Sequence, residues 1–258
     1  MGNLQKLKDK IANGGTCFGI LVTIADCCIS EMVGYAGYDF VWLDTEHGAL
    51  GRREIFHHVI AAQSAGAAVF VRVPGTDPTH VKAILDMGAD GIIFPFVNTV
   101  ARAEEAVRAC LYPPDGMRGQ GPIRAIKYGI DDESEYIKNS DKSVWKILQI
   151  ETEEGYNNLE EIMKVKGVDS LFVGPADLRR SIQLPEPEKS KKFDEIMEDM
   201  SVRLKKSGII MGTATGSTVE DVAKCVNHGY NWMFVAQDAR LISGPLCENL
   251  KKLRKVYK

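Results

Sequence analysis

Short apolar runs rich in β-branched and aromatic residues alternate with amphipathic stretches along the whole chain. The β-rich runs fall at residues 17–23, 39–43, 67–73, 91–96, 144–150, 170–173, 208–212 and 231–235. Helical patterns lie between them at 26–36, 52–65, 78–87, 101–111, 155–164, 189–206, 219–227 and 241–256. Glycines stand where several of these helices should stop, as at Gly66, Gly88, Gly208 and Gly229. The runs VFVRV, GIIFPF and SLFVG are apolar on both parities, as parallel strands covered on both faces require. Eight strand–helix repeats in 258 residues predict a closed (β/α)₈ TIM barrel, one domain over residues 1–258, rather than an open doubly wound sheet. One segment breaks the rhythm. Residues 112–141, YPPDGMRGQGPIRAIKYGIDDESEYIKNSD, read as a long excursion on the helical side that reaches a neighbour or covers the mouth.

Charge narrows the function classes. Lys and Arg number 32 against 35 Asp and Glu, a formal charge of −3, which removes the electrostatic motive for nucleic acid or an anionic membrane. No apolar stretch is long enough to span a bilayer, and the polar start MGNLQKLKDKIANGG is not a secretory signal. The six cysteines show no C-x-x-C spacing and read as free thiols in a cytoplasmic enzyme.

In a barrel, chemistry comes from the C-terminal ends of the strands. Four of those ends carry ionisable groups: Asp44-Thr45-Glu46-His47, Val71-Arg72-Val73-Pro74, Gln149-Ile150-Glu151-Thr152 and Gly174-Pro175-Ala176-Asp177-Leu178. Strand alternation points Gln149 and Glu151 the same way, and Asp177 follows the adjacent strand, so two carboxylates can share a cation. A site of carboxylates and waters suits Mg²⁺ or Mn²⁺, with Co²⁺, Zn²⁺ or Ni²⁺ also admitted. Read singly, Glu151 could as well cap a loop and Asp177 a helix. His47 is the only histidine at a strand end, and the acids Asp44 and Glu46 before it would tune it as a base. Arg72 has no acidic neighbour in sequence and reads as a fixed cation for an oxyanion. The turn at Gly174 and Ala176 offers free N–H groups to a carboxylate. No lysine stands at a strand end, which disfavours a Schiff base.

These four strand ends, with Tyr112-Pro113-Pro114-Asp115-Gly116-Met117-Arg118-Gly119, resemble in order and spacing the motif set of the HpcH/HpaI aldolases, the metal-dependent class II pyruvate aldolases of the phosphoenolpyruvate/pyruvate barrel superfamily. The resemblance implies a divalent metal held by Glu151 and Asp177, with Gln149 and the backbone at Ala176 contacting substrate. His47 would be the base and Arg72 would stabilise the enolate oxygen. It also pairs the histidine with Asp86, although Asp86 belongs to the C-terminal end of a helix, away from its own barrel's mouth. Arg179-Arg180-Ser181 and Ala236-Gln237-Asp238 depart from the family pattern and leave the acceptor aldehyde unassigned.

The expected activity is reversible aldol cleavage of a 4-hydroxy-2-oxo acid to pyruvate and an aldehyde. Decarboxylation of oxaloacetate through the same enolate and a non-catalytic keto-acid-binding barrel are the alternatives. At the C-terminus, Leu241, Ile242, Leu246, Leu250, Leu253 and Val256 form one helical stripe. Read alone, such a helix would pack on its own barrel as any eighth helix does; the resemblance implies instead that it is swapped between paired barrels in a homohexamer, a trimer of dimers, where Asp86 could act across an interface as well as within its own subunit.

Overall fold

Eight parallel strands close on themselves in sequence order: β1 (Cys17–Val22), β2 (Phe40–Asp44), β3 (Ala68–Arg72), β4 (Gly91–Phe94), β5 (Trp145–Ile150), β6 (Ser170–Val173), β7 (Ile210–Ala214) and β8 (Trp232–Gln237), with β8 paired to β1. The computed structural model describes residues 2–257. The helices are α1 (Asn3–Ala12), α2 (Cys28–Tyr35), α3 (Arg52–Ser64), α4 (Pro78–Asp86), α5 (Val100–Cys110), α6 (Glu133–Ser143), α7 (Glu153–Asn157), α8 (Leu159–Met163), α9 (Pro175–Ser181), α10 (Glu188–Ser207), α11 (Val219–Asn227) and α12 (Asp238–Val256). The TIM barrel expected from the alternation is the fold observed. No helix among the described residues is long and apolar enough to cross a membrane.

Each strand divides its residues between two cores, as its pleat requires. One parity faces the helices, as with Val41, Leu43, Val69, Val71, Leu148 and Ile150. The other faces the barrel axis, where Phe40, Trp42, Phe70, Trp145, Phe172 and Trp232 gather above Leu4 and Leu7 of α1, which plugs the bottom. Trp232 is the hub, 5.1 to 6.2 Å from the rings of Phe40, Trp42, Phe70, Trp145 and Phe172. Space for so many rings comes from small neighbours: a Cβ on Gly212 would meet Trp232 at 2.4 Å.

The bottom rim carries a fourfold device. The residue just before each even strand accepts a hydrogen bond from the second residue of the odd strand before it. Asp39 takes Phe18 N at 2.9 Å, Asp90 takes Val69 N at 2.8 Å, Asp169 takes Lys146 N at 2.9 Å and Asn231 takes Met211 N at 3.0 Å. Each thus satisfies a donor at the bottom edge of the sheet.

Three sequence expectations shift. Strand β7 begins at Ile210 rather than 208, because Gly208 ends α10 in the left-handed conformation at φ 72°. The fourth strand stops at Phe94, since Pro95 cannot donate to a ladder. The 112–141 excursion is partly regular: after a kinked turn at Arg124–Gly129, where Lys127 and Tyr128 adopt left-handed φ of 49° and 60°, it forms α6 at Glu133–Ser143, a helix whose charged surface hid its period. The excursion folds under the barrel, opposite its own mouth. Arg118, fully buried, donates to Asp86 Oδ1 at 2.8 Å and Tyr136 Oη at 3.2 Å between the rings of Tyr112 and Tyr136, and Arg124 donates to Met87 O at 2.9 Å.

Helix α12 does not lie on its own barrel. Asp238 is its one buried residue, and Leu241, Ile242, Leu246, Leu250, Leu253 and Val256 are all exposed; Lys258 lies outside the described residues. Over β8 and β1, between α11 and α2, a groove of about 340 Å³ stays open, lined by Phe18, Ala36, Gly37, Tyr38, Ser217, Val222 and Val235.

The rim device makes a stability prediction. Asp90→Ala leaves Val69 N–H without its acceptor and takes from the Gln63 amide, 2.9 Å from Asp90 Oδ2, one of its two, the other being Gly88 O at 2.8 Å. Urea unfolding should show a loss of about 2–4 kcal/mol with an unchanged m-value.

Candidate active site

The mouth groups continue the inward-facing columns of the barrel. Asp44 follows Trp42 by two residues, Arg72 follows Phe70, and Gln149 and Glu151 follow Ile147, so aromatic floor gives way to polar rim along each strand. Register then sets the contacts. Asp44 pairs with Arg72 across β2 and β3. Arg72 donates from Nε to Asp44 Oδ1 at 2.9 Å and from Nη2 to Oδ2 at 2.7 Å, a two-pronged ion pair. Its guanidinium also lies 5.6 Å from the Trp42 ring. Arg72 is therefore not the unpartnered cation that its sequence neighbours suggest. Burial pushes Asp44 up, but the Arg72 contacts win and hold it below the ordinary carboxylate range.

Glu46 brings a second charge to the same cation. Its Oε2 stands 3.2 Å from Arg72 Nη1, off the donor direction, so it is ion-paired without a hydrogen bond. The same oxygen is 3.8 Å from His47 Nε2. Burial raises the Glu46 carboxyl, opposed by Arg72 and His47 and reinforced by Asp44 and Asp177. The His47 side chain is 65% exposed and free to meet a substrate.

Across the mouth, Glu151 is buried and held at both oxygens. Phe96 N donates to Oε1 at 2.9 Å and Gln149 Nε2 to Oε2 at 2.7 Å, leaving Gln149 Oε1 buried without a partner. Glycine is required opposite, because a Cβ on Gly174 would lie 2.6 Å from Glu151 Oε2. Burial lifts the Glu151 carboxyl to about 7, against the pull of the Phe96 N–H and Arg72, with Glu46 and Asp177 adding to the rise. Asp177 sits in the first turn of α9, beside Ala176, close enough for its charge to raise both Glu46 and Glu151. Among the described residues no group of three or more His, Cys, Asp or Glu side chains converges as a metal cage. Two carboxylates, one under-neutralised, and an orphaned amide oxygen beside them make an all-oxygen, incomplete donor set. It suits a hard divalent cation whose remaining ligands are water and substrate.

Asp86 stands apart. It is tied to Arg118 under the barrel, and its own chain does not bring it to His47. Two contributors escape sequence reasoning. Phe96, whose N–H holds Glu151, adopts φ 49°, a strain of about 1–3 kcal/mol for a residue with a side chain. Its one sequence signal is the preceding Pro95. Asp238 accepts Thr23 N and Ile24 N at 2.9 and 2.8 Å and so ties the start of α12 to the mouth loop after β1.

Fold and site together define a parallel eight-stranded barrel whose mouth sets a paired arginine on one wall against two carboxylates on the other. The chain belongs to the HpcH/HpaI aldolase/citrate lyase family, whose model matches residues 18–245. It is 34% identical over 93% of its length to a 4-hydroxy-2-oxovalerate aldolase of Rhodococcus jostii (92% of that protein), and 36% identical over 92% to a 2-dehydro-3,6-dideoxy-6-sulfogluconate aldolase of Pseudomonas putida (92% of that protein). Among solved structures, an HpcH/HpaI aldolase from Desulfitobacterium hafniense superposes with a TM-score of 0.89 at 27% identity, covering 97% of each chain.

The buried carboxylate predicts a pH effect on the metal-free protein. An acid raised from 4.5 to about 7 stabilises the fold below its unfolded pKa, and that stability is lost as pH climbs through 7. Glu151→Gln removes the charge, and Gln149 can turn its free Oε1 to accept from it. In chelator the variant should outlast the wild type at pH 8 by about 3 kcal/mol and converge with it at pH 4. Parallel pH curves would contradict the assigned burial cost.

Proposed function

We propose that this carbon–carbon lyase cleaves 4-hydroxy-2-oxo acids to pyruvate and an aldehyde with a divalent metal, Mg²⁺ or Mn²⁺, held by Glu151 and Asp177. The aldolase relatives over nearly the full chain support the reaction class. The observation that carries the metal reading is the buried, doubly held Glu151 facing Asp177 with no cation of its own beside the Arg72 that Asp44 already neutralises. A bound divalent ion would act as a Lewis acid on the 2-oxo group of the substrate.

The chain's own groups account for the rest. His47 takes the proton of the C4 hydroxyl as the C3–C4 bond breaks, and the electron pair of that bond passes to the 2-oxo oxygen. Arg72 keeps Nη1 free of hydrogen-bond partners and offers it to that oxygen, while Asp44 fixes the guanidinium plane. Glu46 Oε2 stands between Arg72 and His47, 3.2 Å from Arg72 Nη1 and 3.8 Å from His47 Nε2. The second Nε2 hydrogen of Gln149, whose first is given to Glu151, and the N–H groups around Ala176 orient the carboxylate end of the substrate. Protonation of C3 then gives pyruvate.

The exposed stripe of α12 and the open groove over β8 and β1 support a swap of this helix between paired barrels, and a homohexamer built from such pairs. In that assembly the Arg118–Asp86 cluster beneath one barrel would approach a neighbour's His47.

Three outcomes test the reading. Glu151→Gln or Asp177→Asn should abolish retro-aldol turnover and weaken Mn²⁺ binding in equilibrium dialysis; full activity at low metal would refute the ligand assignment. His47→Ala should lose about 10²–10⁴-fold in kcat, and Arg72→Lys should fail as well, since an ammonium cannot keep both prongs on Asp44. Light scattering should show a hexamer at micromolar concentration that deletion of residues 246–258 dissociates, whereas a monomeric intact protein would rule out the swap.

A further inference from the structure

Phe96 is a residue out of place in two respects. Its backbone adopts φ 49°, and its ring is 44% exposed while belonging to neither apolar core. The backbone has a clear use: Phe96 N grips Glu151 Oε1 at 2.9 Å, and the next N–H, of Val97, closes on Gln149 O at 3.1 Å. Glycine would serve that conformation without strain. Keeping a phenyl ring there needs a reason of its own. The backbone contact fixes the ring's root at the rim beside Glu151, where Asp44, Glu46, Arg72 and Asp177 supply only polar groups.

We infer that the Phe96 ring forms an apolar wall for the departing aldehyde, selecting 4-hydroxy-2-oxo acids with a short hydrocarbon substituent at C4 over polyhydroxylated ones. This rests on the aldolase reading above and deepens it. Each methylene shielded against the ring is worth about 4-fold, whereas a hydroxyl pressed there loses its water without a new partner. The charged groups handle the oxo-acid end common to all such substrates, so discrimination falls to the side chain that differs from them in kind.

The test compares Phe96→Ala and Phe96→Gly on two substrates, one with a propyl and one with a dihydroxyethyl group at C4. Their ratio of kcat/KM cancels any loss both share at Glu151. The ratio should fall roughly 10-fold toward the hydroxylated substrate in both variants. In the metal-free state Phe96→Gly should melt above Phe96→Ala, because only glycine relieves the left-handed strain. An unchanged ratio overturns the inference, as does loss of the oligomer in Phe96→Ala on size exclusion, which would assign the ring to a subunit contact. Metal-dependent exchange of pyruvate methyl protons by the wild type checks the underlying reading separately; its absence would remove that reading and this inference with it.

Discussion

A guanidinium cannot be buried at the top of an aromatic barrel unless something neutralises it, and the arrangement of the mouth follows from how that is done. Arg72 rises from the inward column above Phe70, and the register of β2 against β3 puts Asp44 directly opposite. The two-pronged pair leaves the guanidinium rigid, with its Nη1 unbonded. Removing either partner would strand a buried charge, which costs far more than the pair itself contributes. Glu46 then adds a negative charge that the pair does not absorb, and that charge reaches His47.

The opposite wall has the reverse problem. Glu151 and Asp177 are carboxylates with too little positive charge near them, and Glu151 is buried as well. The protein spends backbone strain at Phe96 and the missing side chain of Gly174 to keep Glu151 in place. An arrangement that raises an acid to about 7 in the free chain is relieved when a cation arrives. One wall is complete in its charges and one is incomplete.

Much of this is legible in the amino-acid sequence. The both-parity apolar runs and helix-stopping glycines announced the barrel, and the rule that chemistry sits at strand ends picked out Asp44, Glu46, His47, Arg72, Gln149, Glu151 and Asp177. What stayed hidden depends on pairing between distant segments. That Arg72 is clasped by Asp44 follows from strand register, which no local pattern shows. Residues 133–143 concealed a helix because their apolar positions are few. Asp86 is brought to Arg118, 32 residues on, by the fold of the excursion rather than by any motif spacing. The N–H of Phe96 is a backbone donor, invisible in a list of side chains.

In the proposed site Glu151 and Asp177 would hold a divalent ion against which Arg72 and His47 work on a pyruvyl group. Proton NMR of pyruvate in D₂O reads this without knowing the aldehyde. The methyl signal should stay constant with metal-free protein and decay once Mg²⁺ or Mn²⁺ is added, with no decay for Glu151→Gln under the same conditions. Exchange that proceeds equally well in chelator, or that survives in Glu151→Gln, would contradict the account.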